Sequence, residues 1–279
     1  MNSHGFASAN QASLLRLPLE LRRNIYAYIL PRTELFDLRF QRGDGEPKQQ
    51  REHNFTLVRE TAGRNGAWEM QKTLPSPDHE EGNEIVWRLG CTSLLSTCRQ
   101  IHDECVHMIY GENTFVIHVS FDAIEFNMRW RTANNLTPGR RYLFLNHFSQ
   151  RNLMKIRDYI VNVEHIDEYT GMIKFNYSGQ GLTAGIQAKV QELVDLLAAV
   201  PKLHSLHVHL IDGAVSRIRF PSARVLPVHD ANYYLASQSV LDPFTGVVGV
   251  RKARVTGVSE TYATTLETSM TGTRGVPLG

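Results

Sequence analysis

Two amphipathic segments, 17–30 and 94–110, held apart by a long polar stretch, constrain this chain more than any other feature. In the first, Leu17, Leu21, Ile25, Tyr28 and Ile29 recur at near-helical spacing and make one apolar face, with Arg22, Arg23 and Asn24 on the other side. Pro18 suits the first helical position, where its missing N–H would have had no intrahelical acceptor. Glu20 places a negative charge in the first turn, which the helix macrodipole favours, and Pro31 stops the helix after Leu30. In the second segment Leu94, Cys98, Ile101, Cys105 and Ile109 line one stripe. Thr92 or Ser93 is available as its N-cap and Gly111 is placed to end it. Each apolar face must be covered, so these are either core helices packed on each other or helices that hold another protein.

The cysteines fit the same stripe. Cys91, Cys98 and Cys105 stand seven residues apart. Seven helical residues rise roughly 10 Å, too far for a disulfide or for shared ligation of one zinc. They are expected to be small, reduced core residues of the cytosol or nucleus, with Cys98 and Cys105 both buried.

Between the helices, 35–40, 54–58 and 84–89 have strand character, and Thr114-Phe-Val-Ile-His-Val119 reads as a further strand. The segments 41–52 and 72–83 are rich in Gly, Pro, Gln and charge and read as loops. A small antiparallel sheet beside the two helices is the simplest arrangement. Past Phe121, helical stretches precede short strands three times: 153–160 before 163–169, 190–200 before 203–211, and a third unit ending in 250–258. In the middle unit a helix stopped by Pro201 leads into Leu203-His-Ser-Leu-His-Val-His-Leu210, a leucine-rich-repeat-like strand core. Degenerate repeats and an ordinary α/β layer both accommodate this pattern. By parity, Leu206, Val208 and Leu210 should face Leu193, Leu196 and Leu197, leaving His207 and His209 on the opposite, open face.

Leu-Pro-x-Glu-Leu-Arg-x-x-Ile-Tyr at 17–26 resembles the opening helix of the F-box. Leu94-Leu-Ser-Thr-Cys-Arg-Gln-Ile101, with Tyr110-Gly-Glu-Asn-Thr-Phe115, is similar to the second half of a family of F-box-like proteins from filamentous fungi. The similarity extends weakly through Val240-Leu-Asp-Pro-Phe244 and 250–258. F-box proteins dock on the Skp adaptor of cullin–RING ubiquitin ligases and present a substrate through the rest of the chain. The resemblance thus implies an adaptor-binding face of Leu17, Pro18, Leu21, Ile25 and Ile29. The chain departs from a compact F-box in one respect: 31–90 intervenes between its helices.

Chemical constellations are sparse. His207 and His209 share a strand face, and Asp167 on a neighbouring strand could complete a metal site. The same alternation is also what a half-exposed strand looks like, so these three are read as substrate-facing and no metal is assigned. His102 and His107 are five apart rather than four, so with Asp103 and Glu104 they are expected on the solvent side of the second helix. Ser178-Gly-Gln-Gly181 lacks a third glycine and a following lysine and reads as a turn. Arg129-Trp-Arg131 with Arg140-Arg-Tyr142 interleaves cations and aromatics as single-strand binders do. Glu125 and a formal charge of only +2 dilute it, and no nucleic-acid-binding fold signature accompanies it. No nucleophile elbow is present, no cofactor is implied, and no enzyme activity is expected.

At 279 residues with a 42% hydrophobic fraction the chain can bury a sizeable core. No apolar run approaches a bilayer span and no leader pattern opens the chain, so neither membrane nor secretion is expected and a cytoplasmic or nuclear site is. The expected fold is α+β. Disordered ends (1–12 and 272–279) would flank F-box-like helices at 13–119, with their insertion at 31–90. An α/β partner-binding region with leucine-rich-repeat-like units would follow at 120–271. The expected function is a non-catalytic interaction module holding a Skp-type adaptor and an unknown substrate protein. The alternative is a structural or regulatory binding protein with no ubiquitin-ligase role.

Overall fold

The computed structural model describes residues 14–37, 56–63, 66–73, 83–134, 137–165, 179–212 and 237–272. The expected disordered end 1–12 and all but the first residue of 272–279 lie outside these, as does Asp167.

Helix α1 spans Leu19–Ile29, with Pro18 one position earlier than expected, at the N-cap in extended conformation. Its carbonyl accepts from the amides of Leu21 and Arg22, both at 3.1 Å. The second segment is not one helix. A 3-10 turn, Ser93–Ser96, gives way at Cys98, whose φ of −154° and ψ of 162° are those of an extended N-cap, and α2 runs Arg99–Gly111. Local side chains explain the break. The Ser96 hydroxyl donates to the Ser93 carbonyl at 2.7 Å and Thr97 to that of Leu94 at 2.8 Å, offering the backbone an alternative to helix. The Nδ1–H of His102 donates to the Leu95 carbonyl at 2.8 Å. Cys98 is therefore exposed, against expectation, whereas Cys105 is buried and its thiol pushed up to about 11 by desolvation; all three cysteines are free.

Eight strands share one mixed sheet: β1 (Arg32–Asp37), β4 (Asn83–Arg88), β5 (Thr114–Val119), β6 (Ile124–Arg131), β7 (Gly139–Leu143), β8 (Asp158–His165), β9 (Ser205–Asp212) and β10 (Lys252–Thr256). Their order is β1-β4-β6-β5-β8-β9-β10, with β7 antiparallel to β6. Strands β2 (Thr56–Gly63) and β3 (Gly66–Thr73) form a separate antiparallel hairpin, and β3 occupies chain that had no predicted strand. Of the insertion's strands, therefore, only β2 and β3 make a sheet of their own, and the other two do not join it. Its β1 and β4 extend the main sheet through Trp87↔Trp130, and the expected boundary at 119/120 falls between paired strands β5 and β6.

Strands β5, β8, β9 and β10 are parallel and lie side by side in chain order. Thr114, Asp158, Ser205 and Lys252 occupy one rung across them. The expected helix at 153–160 is instead a single turn, Gln150–Leu153, and β8 begins at Asp158. Tyr159-Ile-Val-Asn-Val163 is a continuous strand run buried on both faces, as parallel strands under helices are. The helix before β9 starts well before the expected 190: α3 spans Gly179–Ala199, so the Gly-x-Gly read as a turn opens a helix. A 3-10 segment, Gln238–Gly246, precedes β10, and α4 (Glu260–Thr271) follows it.

The main core lies on one face of the sheet. Phe115, Ile117, Tyr159, Val161, Leu206, Val208 and Leu210 point into it and meet Ile186, Val190, Leu193 and Leu197 of α3, with Leu266 and Met270 of α4. The parity of β9 is as expected, except that Leu196 is only half-buried. Trp87 from the insertion packs edge-on against Phe115, with ring centroids 5.5 Å apart. A smaller core of Tyr26, Leu30, Ile101, Cys105 and Met108 joins α1 to α2.

Candidate partner surface and a buried polar seam

The α1–α2 contact is built around charge. Arg22, expected in solvent, is 7% exposed and donates to Glu104 through Nε at 3.0 Å and Nη2 at 2.6 Å. The Tyr26 hydroxyl and the Gln100 amide add donors to the same carboxylate, both at 3.0 Å. With this bidentate guanidinium, the Glu104 carboxyl is held down at about 2. Desolvation and that carboxylate push the Tyr26 phenol up to about 12. Glu104 thus faces α1 rather than solvent. Arg23 pairs with Glu112 further along.

With Arg22, Tyr26 and Leu30 turned inward, the expected apolar stripe is only partly covered. Leu21 is 49% and Tyr28 85% exposed, Leu15 and Leu19 are also exposed, and Pro18 lies open at the helix start. Leu17, Ile25 and Ile29 are half-buried. Of the five residues assigned to an adaptor, Leu17 and Pro18 lie just ahead of α1 and Leu21, Ile25 and Ile29 within it, two open and three partly covered.

The long insertion begins and ends at one place. The Cys91 amide donates to the Ile29 carbonyl at 2.8 Å, and Gly90 lies so close to α1's exit that a Cβ would stand 2.3 Å from that oxygen. Asn113, 3% exposed, completes the junction: its carbonyl accepts from the Thr33 amide at 2.6 Å, and its amide donates to Ile109 at 2.8 Å. The excursion 31–90 is thereby tied off, and α1 lies directly against α2 despite their separation in sequence.

The face of the sheet opposite α3 carries a polar seam that sequence reasoning placed only at its edge. His118, Asn162, His209 and Thr256 occupy one rung across β5, β8, β9 and β10. The Nδ1–H of His118 donates to Glu164 at 2.7 Å, while its Nε2 accepts from the amides of Asn127 at 3.1 Å and Asn162 at 3.3 Å. Arg141 reaches Glu125 at 3.2 Å and Glu164 at 3.3 Å. His209 and His207 both meet the Thr256 hydroxyl, at 2.7 Å and 3.2 Å. His209 is 6% exposed and His207 half-buried, so the open, substrate-facing pair expected from parity is not formed. Parity placed them on the correct face. The error was to equate the second face of a sheet with solvent. Both ring nitrogens of His118 are engaged, and among the described residues no three His, Cys, Asp or Glu side chains are grouped to hold a metal. The readable signal was a polar residue inside an apolar strand run: His118 in Val116–Val119, Asn162 and Glu164 in 159–164.

Within the basic aromatic segment, Arg131 and Arg141 are paired with carboxylates and Arg140 stacks on an aromatic ring. Arg131 lies 4.8 Å from the Phe36 ring centre and pairs with Glu34, Arg140 lies 5.0 Å from that of Tyr142, and Arg141 has the two carboxylates above. An open cleft of about 610 Å³ at the start of α2 is walled by Cys98, Arg99, His102 and Arg151, with Asp103 opposing the cations. No helix among the described residues is long and apolar enough to cross a membrane.

No curated protein and no solved structure matches the chain. A family model does match it, over residues 7–226, and the chain belongs to that family, the domain of unknown function DUF7730.

Proposed function

We propose that this chain is a non-catalytic protein-interaction module of F-box-like type. Helix α1 holds a Skp-type adaptor of a cullin–RING ubiquitin ligase, and the sheet region serves an unidentified substrate protein. One observation carries this reading. The α1 helix turns Arg22 inward with Tyr26 and Leu30 and leaves the large apolar side chains of Leu19, Leu21 and Tyr28 exposed, a cluster that a helix used only as core would cover. The tied-off insertion supports it, because the two helices meet as they would without the intervening chain. Three free thiols suit a reducing cytoplasm or nucleus.

The test is co-elution of the purified chain with a purified Skp-type adaptor. Leu21→Ala with Ile25→Ala should abolish the complex while leaving the far-UV dichroism unchanged, since interface anchors cost about 2 kcal/mol or more each on truncation. A wild-type chain that never co-elutes would leave the rival reading, a binding protein without a ligase role. A double variant that still co-elutes would move the docking face elsewhere.

A further inference from the structure

Turning α1 by one residue, roughly 100°, would bring Leu21 and Ile25 to the positions of Arg22 and Tyr26, against Ile101, Cys105 and Met108. That arrangement would bury Leu21 and Ile25 and free a guanidinium, while withdrawing the fully buried Tyr26 from the same core, so apolar burial alone does not fix the rotation. Glu104 opposes the turned arrangement. Its carboxylate takes four donors, two from Arg22 and one each from Tyr26 and Gln100, and three of those four belong to α1 in its present rotation. In the turned helix a half-buried carboxylate would lose them. Arg22 also donates to the carbonyls of Leu17 and Leu15 ahead of the helix, which ties the entering chain to the same orientation. Buried ion pairs contribute little net stability against apolar replacements, and their best-attested use is to fix register.

We infer that the Arg22–Glu104 pair is a positioning device: it sets the rotation of α1 and so keeps the apolar stripe outward for docking. The inference rests on the reading of α1 as a docking helix, but the rotation itself can be measured without any partner.

The experiment uses the full chain with Cys91→Ser and Cys98→Ser, which leaves the buried Cys105, and Leu21→Cys as reporter. In this background the reporter should react with a maleimide at nearly the rate of an unfolded thiol, since Leu21 is 49% exposed. Adding Arg22→Gln with Glu104→Leu, which puts no apolar side chain at position 22, should slow it at least tenfold, and adaptor capture, measured with Leu21 retained, should fall by a similar factor. Equal labelling rates in both backgrounds would overturn the positioning role and leave the docking reading intact. Slow labelling in both would remove the exposed stripe and both readings with it. If the double variant does not fold, Glu104→Gln replaces it. That near-isosteric amide removes the charge and turns one of the two acceptor oxygens into a donor, so labelling should slow severalfold, and an unchanged rate overturns the inference.

Discussion

Replacing Gly90 by alanine tests how tightly the insertion is tied off. The added Cβ would stand 2.3 Å from the Ile29 oxygen, 2.5 Å from the Leu30 carbonyl carbon and 2.6 Å from the Pro31 nitrogen. All three are backbone atoms at the exit of α1, so no side-chain rotamer can relieve the clash. Overpacking of this kind costs about 1–3 kcal/mol. The shift also strains the Cys91–Ile29 hydrogen bond at 2.8 Å, worth about 0.5–1.5 kcal/mol net. A loss of roughly 2–4 kcal/mol follows, read as a lower urea midpoint at constant slope. Gly111→Ala is the control. It makes the same chemical change at the last residue of α2, where the nearest atoms to a Cβ are 3.5 Å away on the His107 ring, an ordinary contact. There alanine should be neutral or stabilising by up to about 1 kcal/mol, because it restricts the unfolded chain. A Gly90→Ala cost below about 0.5 kcal/mol, or one no larger than at Gly111, would refute the closure.

Two further outcomes are expected. Of the three thiols in the native chain, Cys91 and Cys98 should react quickly and Cys105 only on denaturation, so a slow Cys98 would reject the break there and a fast Cys105 would reject the α1–α2 core. The Glu104 carboxyl is held below its ordinary 4.5, so the stabilisation it gives is fully present above that value and is lost as pH falls towards about 2. The difference in melting temperature between wild type and Glu104→Gln should therefore shrink across that interval; a gap constant from pH 5 to pH 2 would contradict the pair.

The existence of α1 and α2, the strand character of β1, β4, β5 and β9, and the inward parity of Leu206, Val208 and Leu210 are all carried by local periodicity, which is why they were legible. The rotation of α1 was not. Its apolar pattern asks for Leu21 and Ile25 to be buried, and only a partner 82 residues away, Glu104, decides otherwise. The same holds for the break at Cys98, where two hydroxyl residues, Ser96 and Thr97, outcompete a helical stripe that continues through them. Strand β8 was misread because a run buried on both faces has no period to read. The polar seam was half visible. A histidine, an asparagine and a glutamate inside apolar strands pointed to a buried network, but their partners sit on different strands and meet only through sheet order. The closure of the insertion rests on Gly90, whose role is a close approach that composition cannot reveal.

The outward stripe is tested most directly at Tyr28, which is 85% exposed and makes no contribution to either core cluster. Titration of a purified Skp-type adaptor against wild type and Tyr28→Ala, with melting temperatures recorded in parallel, separates docking from folding. The account predicts an unchanged melting temperature and a Kd raised at least tenfold, the equivalent of about 1.4 kcal/mol. An unchanged Kd, or a loss of binding accompanied by a fall in melting temperature, would contradict it.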